Sequence, residues 1–182
     1  EQLAKENSVS LTGVEVINPP NGKHFADYVK ELVDLRKGKM TEDEARKVMA
    51  TSLYYGAMLV RHDLADASVA GSVNTTGDVL RAAIHCVGLK PGITTVSSSF
   101  IMTVPKFRNV ENKVFMFGDC AVVPNPTAEQ LASIAVSTAE TMRNLVGEEP
   151  RVAMLSFSTK GSAKHADVDK VLAALEILKR DY

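Results

Sequence analysis

The stretch DASVAGSVNTTGDVLRAAIHCV, residues 66–87, changes its hydrophobic pattern once along its length. Its first part, Asp66 to Val73, is a run of small and β-branched residues, which is typical of a buried strand. Its second part has apolar residues at helical spacing, at Val79, Leu80, Ala83, Ile84 and Val87. A strand that passes through a short polar turn into a helix is the repeating unit of an α/β protein with a parallel sheet.

The same alternation continues along the chain. Further short strands are predicted at 14–18 and 152–157. Two β-rich runs, 93–104 and 114–120, predict a hairpin around the polar loop 106–113. Helices are predicted from Phe25 to Arg36, from the capping box at Thr41 and Glu44 through Val60, from Thr127 through Leu145, and from Asp167 to Arg180. The pattern predicts an α/β fold with a mostly parallel sheet.

The strongest break in this pattern is Lys90-Pro91-Gly92. It predicts that residues 1–91 are part of a first α/β domain and residues 92–182 part of a second, which contains the hairpin. The chain begins without Met, and its last predicted helix continues almost to residue 182. We expect it to be part of a longer protein, although a cleaved tag explains the start equally well.

The composition excludes several classes of protein. A net charge of -1 gives no excess of positive charge for nucleic acid or an anionic membrane. No apolar run approaches the roughly 20 residues that span a bilayer, and the polar start is unlike a signal peptide. The two cysteines, Cys86 and Cys120, are too few for a disulfide framework, which favours a reducing cytoplasm. The four histidines have no metal-binding spacing, so no metal site is predicted.

The polar turn from Gly71 to Asp78 is the first candidate binding site. Exposed N–H groups at a helix start attract anions, and Arg81 lies about one turn further along the helix. Its planar guanidinium suits a phosphate. A solvent-facing Ser/Thr turn with a surface arginine fits the same residues, and spacing alone favours that alternative.

The second candidate is the turn from Ser156 to Lys164, which follows a predicted strand and precedes the last helix. It offers hydroxyl groups, two lysines, and a glycine that permits close backbone approach. It lacks the glycine and residue order of a Walker A loop, so nucleotide hydrolysis is not expected. An ordinary polar loop is the alternative, but two such turns after predicted strands favour a phosphate-type ligand.

Three stretches together resemble the phosphate acetyltransferase family: residues 71–81 (GSVNTTGDVLR), 117–127 (FGDCAVVPNPT) and 152–164 (VAMLSFSTKGSAK). They occur in the family's order, and residues 35–37 and the helix after Thr41 also match. The resemblance covers nearly the whole chain and places it in the central part of the family's sequence. It implies a two-domain, three-layer α/β/α protein similar to isocitrate and isopropylmalate dehydrogenases, with an interdomain active site and a homodimeric assembly.

The resemblance also implies a reaction, in which a coenzyme A thiolate attacks acetyl phosphate and phosphate leaves. Coenzyme A or acetyl-CoA, acetyl phosphate and phosphate are then substrates, with no tightly bound cofactor and a role in acetate metabolism. By match to the family pattern, Arg36 and Arg81 are expected to bind coenzyme A or the acyl phosphate. The weaker candidates for the phosphate pocket are Thr75, Thr76, Ser158, Thr159, Gly161 and Ser162.

One departure from the family pattern concerns the catalytic residues. The family has a Ser-Arg pair, followed by a catalytic Asp, near its C-terminus, and this sequence contains no Ser-Arg pair. No catalytic residue is therefore assigned to this chain, and its activity by itself is a separate question from that of its parent. Two alternatives stay open: a phosphate butyryltransferase, and a non-catalytic acetyl-CoA-sensing domain like the one appended to some bacterial malic enzymes.

Overall fold

A computed structural model describes residues 2–159 and 162–182 of the chain. Their contacts divide the chain into two units, Glu1–Gly88 and Leu89–Tyr182. The domain assignment of 1–91 and 92–182 stays a prediction about the intact protein.

The first unit is helical. Its described elements are α1 (Gln2–Glu6), a 3-10 turn (Pro19–Asn21), α2 (Phe25–Leu35), α3 (Glu42–Met49), α4 (Ser52–Arg61) and α5 (Thr76–Cys86). The predicted apolar face of α2 is buried at Val29 and Leu32. The predicted capping box opens α3: the backbone N–H of Thr41 donates to Glu44 at 2.8 Å, and the N–H of Glu44 donates to Thr41 Oγ1 at 3.3 Å.

The single helix predicted from Thr41 through Val60 is wrong, because the structure divides it at Ala50 and Thr51. The Thr51 hydroxyl donates to the carbonyl of Val48 at 2.6 Å and accepts from the N–H of Tyr54 at 3.5 Å. Thr51 thus ends α3 and caps α4, which is the local competition with a helix that threonine side chains offer. The break turns α4 towards α5 and brings Tyr54 into the core.

The core of the first unit is built from aliphatic, methionine and tyrosine side chains. The fully buried Leu32, Met49 and Met58 lie at its centre, and each such side chain contributes about 1.5–3 kcal/mol on burial. Tyr28 and Tyr55 pack against each other with ring centroids 5.4 Å apart. In a chain without tryptophan, tyrosines supply the large core side chains of this unit.

The second unit contains β1 (Ser99–Phe107), β2 (Val110–Gly118), α6 (Ala128–Thr141), a π-helical turn (Met142–Val146) and α7 (Ala166–Asp181). The predicted hairpin is confirmed: β1 pairs antiparallel with β2, from Ser99 opposite Gly118 to Phe107 opposite Val110. The loop predicted at 106–113 is wrong, since the strands continue through it and leave only a two-residue turn. Polar side chains on exposed strand faces explain the mistaken loop.

The strands predicted at 14–18, 66–73 and 152–157 do not form in the described part of the chain. The sheet found there is the two-stranded hairpin, so the described residues have a mixed α/β fold, and the parallel sheet and dehydrogenase-like three-layer architecture stay predictions about the intact protein. A parallel strand needs a neighbouring strand for its backbone hydrogen bonds. These segments have none, and apolar side chains such as Val69 and Leu155 are exposed.

Candidate anion site

The turn before α5 is fixed by Thr75, its N-cap residue. The Thr75 hydroxyl donates to Asp78 Oδ2 at 2.7 Å and accepts from the Asp78 backbone N–H at 3.2 Å. Thr76 is the first residue of the helix, where backbone N–H groups have no intrahelical partner. The hydrogen bond from Thr75, and the positive charge of Arg81, hold the pKa of the Asp78 carboxyl below its usual range despite opposing desolvation.

Arg81 lies on the same face of α5 as Asp78. Its Nη1 donates to Asp78 Oδ1 at 3.1 Å, and the Arg81 side chain is 61% exposed. A surface ion pair of this kind is weak and easily exchanged. The carboxylate therefore orients the guanidinium without closing it to a ligand from solvent, and the anion-binding role of Arg81 stays a prediction.

Arg36 is the C-cap residue of α2, the helix that buries Val29 and Leu32 in the core. Within the described part of the chain, its Nε is buried and has no hydrogen-bond partner. A buried guanidinium N–H without a partner carries a desolvation cost that a bound acceptor would relieve. The structure therefore leaves Arg36 with a donor that suits an anion.

Arg36 and Arg81, which are 45 positions apart in the sequence, both act electrostatically on His85. His85 follows Arg81 by four residues on α5, so the two side chains share a helix face. Burial, and then the positive charges of Arg36 and Arg81, lower the pKa of the His85 imidazole. Both guanidinium groups therefore add positive charge in the surroundings of one imidazole.

Tyr54 completes this cluster from α4. Its hydroxyl lies 2.9 Å from His85 Nδ1, and the two rings meet edge to face with centroids 5.9 Å apart. Burial raises the pKa of Tyr54, as does the nearby Cys86 thiol, while Arg81 and Arg36 oppose the rise. Sequence analysis considered His85 only among the four histidines without metal-binding spacing and missed this group. The signal was the four-residue spacing between Arg81 and His85.

The second predicted turn, which begins at Ser156, lies in the other unit, and hydroxyl groups within it form hydrogen bonds to one another and to its backbone. Ser158 Oγ lies 2.8 Å from Ser162 Oγ, and Ser162 Oγ donates to the carbonyl of Thr159 at 2.7 Å. The hydroxyl groups therefore form a local network, and Thr159 and Ser162 are exposed. Gly161 lies outside the described residues. The site role of this turn stays a prediction.

The stretch 117–127 forms a turn around one carboxylate. Asp119 accepts hydrogen bonds from the Ser98 hydroxyl at 2.5 Å, from the Ser98 N–H at 2.9 Å and from the Val123 N–H at 2.6 Å. Further donors are the N–H groups of Ala121 and Val122. Burial would raise the pKa of Asp119, but these bonds, led by the Ser98 hydroxyl, lower it to about 2. This aspartate is a structural anchor.

Neither cysteine has the surroundings of a catalytic nucleophile. Cys86 is buried in the first unit, and burial raises its pKa to about 12, which keeps the thiol protonated. Cys120 Sγ donates to the carbonyl of Phe117 at 2.8 Å.

Across residues 2–159 and 162–182, no group of three or more His, Cys, Asp or Glu side chains could hold a metal ion. No helix in those ranges is long and apolar enough to cross a membrane.

Comparison with known proteins identifies close relatives. The family model for phosphate acetyl/butaryl transferase matches residues 1–182. The chain is 48% identical over 172 residues to a phosphate acetyltransferase of Thermoanaerobacterium thermosaccharolyticum, covering 94% of this chain and 52% of that protein. It is 41% identical over 181 residues to one of Clostridium acetobutylicum, covering 99% and 54%. The chain spans about half the length of these relatives.

A solved structure of a phosphotransacetylase is also similar to this chain. EutD phosphotransacetylase from Staphylococcus aureus superposes with a TM-score of 0.82 and 37% sequence identity. The match covers 98% of this chain and 52% of that chain.

Proposed function

The chain belongs to the phosphate acetyl/butaryl transferase family, and we propose that its parent protein transfers an acetyl group reversibly between coenzyme A and inorganic phosphate. The observation that carries this proposal is the family match over residues 1–182, and two arginines of the chain support it: Arg36, whose buried Nε has no partner within the described residues, and Arg81, whose side chain is 61% exposed. The family resemblance assigns both arginines to substrate binding. Two arginines supply the charge and the forked donors that a phosphate requires.

The chemistry is a direct transfer. The thiolate of coenzyme A attacks the carbonyl carbon of acetyl phosphate, the carbon–oxygen bond to phosphate breaks, and phosphate leaves with that oxygen. A free thiol with a pKa of about 8.5 is only about 3% thiolate at pH 7, so a base assists the forward reaction. The family's Ser-Arg pair and catalytic Asp, which this sequence does not contain, are proposed to supply that step in the parent protein.

The residues of this chain have binding roles in this proposal. Arg36 and Arg81 neutralise phosphate oxygens and the oxyanion that develops on the carbonyl. Thr75 and Thr76 present the start of α5 to the same anion. Asp78 holds Arg81 at 3.1 Å, and a dianionic ligand would compete with that carboxylate for the guanidinium. Ser158, Thr159, Gly161 and Ser162 are proposed as further phosphate-pocket residues.

The remaining proposals concern the intact protein. We infer a cytoplasmic homodimer acting in acetate metabolism, with coenzyme A, acetyl phosphate and phosphate as its small-molecule partners and no resident cofactor. The relatives named phosphate acetyltransferase favour the acetyl substrate. Phosphate butyryltransferase stays the second candidate, because the family description includes both acyl groups.

The three-layer α/β/α fold with a parallel sheet is also proposed for the intact protein. Its support is the segment 152–157, where Val152 and Leu155 expose apolar side chains to a groove of about 890 Å³. The groove also contacts β2 and α6, at Phe115 and Ile134. Such a segment is typical of a strand that pairs with neighbours. Slow hydrogen exchange of the 152–157 amides in the full-length protein would support this pairing, and fast exchange would refute it.

Arginine variants of the full-length protein test the binding roles. A lost charged hydrogen bond of about 1.5–3 kcal/mol corresponds to roughly ten- to 150-fold in kcat/KM. We expect Arg36→Ala and Arg81→Ala each to fall in this range for phosphate-dependent release of thiol from acetyl-CoA. The control is Arg46→Ala, which removes an exposed arginine paired with Glu42 at 3.0 Å on α3. Unchanged rates for the first two variants would overturn the assignment.

A further inference from the structure

His85 and Tyr54 form a polar pair that the family resemblance does not assign. They lie on separate helices, α5 and α4, and are joined by the 2.9 Å contact between Tyr54 Oη and His85 Nδ1. Tyr54 is 7% exposed, and His85 is half-buried. A hydroxyl can either donate or accept, so Tyr54 can hold the imidazole in two states. It donates to Nδ1 of the neutral ring and accepts from Nδ1–H of the charged ring.

The charges facing His85 within its unit come from the elements packed around it. Arg36 lies at the end of α2, Tyr54 on α4, and Asp78 and Arg81 on α5. The guanidinium groups of Arg36 and Arg81 place positive charge near the imidazole, and the Asp78 carboxylate, 3.1 Å from Arg81, offsets part of it. That charge, added to burial, opposes protonation of His85.

A bound dianion reverses this balance. It more than cancels the net positive charge of Arg36, Arg81 and Asp78, so the field at the imidazole changes from repelling a proton to attracting one. The buried Nε of Arg36 has no partner within the described residues, so this arginine keeps a donor for an acceptor. The three cationic side chains would then surround one anion, with His85 fixed by Tyr54.

On the premise of the proposed phosphate site, we propose that His85 is a third cationic ligand, which takes up a proton from solvent when a phosphate-type dianion binds beside Arg36 and Arg81. The proton adds to the imidazole, and Tyr54 changes from donor to acceptor at Nδ1. Binding of the anion and binding of the proton then strengthen each other, as linkage requires. His85 thereby favours a dianionic phosphate over a monoanion.

Sulfate is the probe for this proposal, because its two charges do not titrate near neutral pH as those of phosphate do. Calorimetry of the full-length protein in two buffers of different ionisation enthalpy measures the protons taken up per sulfate at about pH 7. We expect a measurable fraction of a proton in the unmodified protein. The affinity should also rise as the pH falls from about 8 to about 6, by up to tenfold for each pH step of one.

Two histidine variants separate this role from a structural one. His85→Asn keeps an amide that can hydrogen-bond Tyr54 but cannot take up a proton, so proton uptake should disappear and affinity should become independent of pH. His24→Asn is the matched control: His24 is half-buried and stacks on Tyr28 with centroids 5.5 Å apart. It should retain the proton uptake of the unmodified protein. His85→Gln is the second variant if His85→Asn does not fold.

The outcomes separate this inference from the proposed function. If sulfate binding depends on Arg81 but His85→Asn takes up as many protons as the unmodified protein, the role of His85 is overturned and the anion site stands. If sulfate does not bind, or binds without regard to Arg81→Ala, both the anion site and the role of His85 are overturned. Thiol release from acetyl-CoA by the same preparations reports on the proposed reaction independently.

Discussion

Replacing Asp119 by Asn should loosen the turn between β2 and α6. The carboxylate is held by two donors from Ser98 and by the N–H groups of residues 121–123. Its pKa of about 2, against an ordinary value of 3.8, corresponds to about 2.4 kcal/mol. We expect about 2 kcal/mol, because the side chain is only half-buried and solvent screens its charge.

Native-state hydrogen exchange on the full-length protein measures this loss locally. At neutral pH, amides of residues 98 and 121–123 should exchange about 30-fold faster in Asp119→Asn, the ratio equivalent to 2 kcal/mol. Glu111→Gln, an exposed position of β2, is the control for removing one negative charge in the same unit. It should leave the exchange of these amides unchanged.

The pH dependence gives a second, independent check. Since the folded pKa of Asp119 lies below its unfolded value, the stabilisation is fully present above about pH 4 and disappears as the pH falls towards about 2. The difference in unfolding free energy between Asp119→Asn and the unmodified protein should therefore shrink over this range in urea titrations. A variant that exchanges at the unmodified rate, or a difference that persists at about pH 2, would refute the reasoning.

Two further predictions concern packing and reactivity. Gly22→Ala should destabilise the protein by about 1–3 kcal/mol, because the added Cβ would overlap the Tyr55 phenol. Gly56→Ala, within α4, should instead stabilise it by about 0.5–1 kcal/mol. Equal unfolding temperatures for the two variants would contradict this prediction. Cys86, with a pKa of about 12, should react at least about 100-fold more slowly than Cys120 in alkylation followed by peptide mass mapping, since the thiolate is the reactive form. Comparable labelling of the two would show that Cys86 is not held in the buried core.

The sequence predicted the features that depend on local patterns. Apolar spacing located α2 and α7, the capping-box signal of Thr41 and Glu44 located the start of α3, and β-rich runs located the hairpin. The break between α3 and α4 was not predicted, because it depends on the hydroxyl of Thr51 competing for the carbonyl of Val48. A threonine inside an apolar repeat gives no such signal on its own.

The sequence predicted less of the structure where that structure depends on contacts between residues distant in the chain. The segments 14–18, 66–73 and 152–157 have strand composition, but a strand forms only where a neighbour accepts its hydrogen bonds. The candidate site shows the same limit. Arg36 came from the family resemblance and Arg81 from the turn before α5 and the resemblance together, whereas Tyr54 and His85 were found only in the contact between α4 and α5. Spacing along one helix predicts which of its residues share a face. Contacts between two helices become known only from the fold.

The reaction itself is tested most directly by phosphate-dependent release of free thiol from acetyl-CoA by the full-length protein, with propionyl- and butyryl-CoA in parallel. We expect release that requires phosphate and is fastest with acetyl-CoA. Release that is fastest with butyryl-CoA would make the protein a phosphate butyryltransferase. Absence of release with all three thioesters, despite binding of acetyl-CoA, would contradict the proposed transfer and favour a non-catalytic acetyl-CoA sensor.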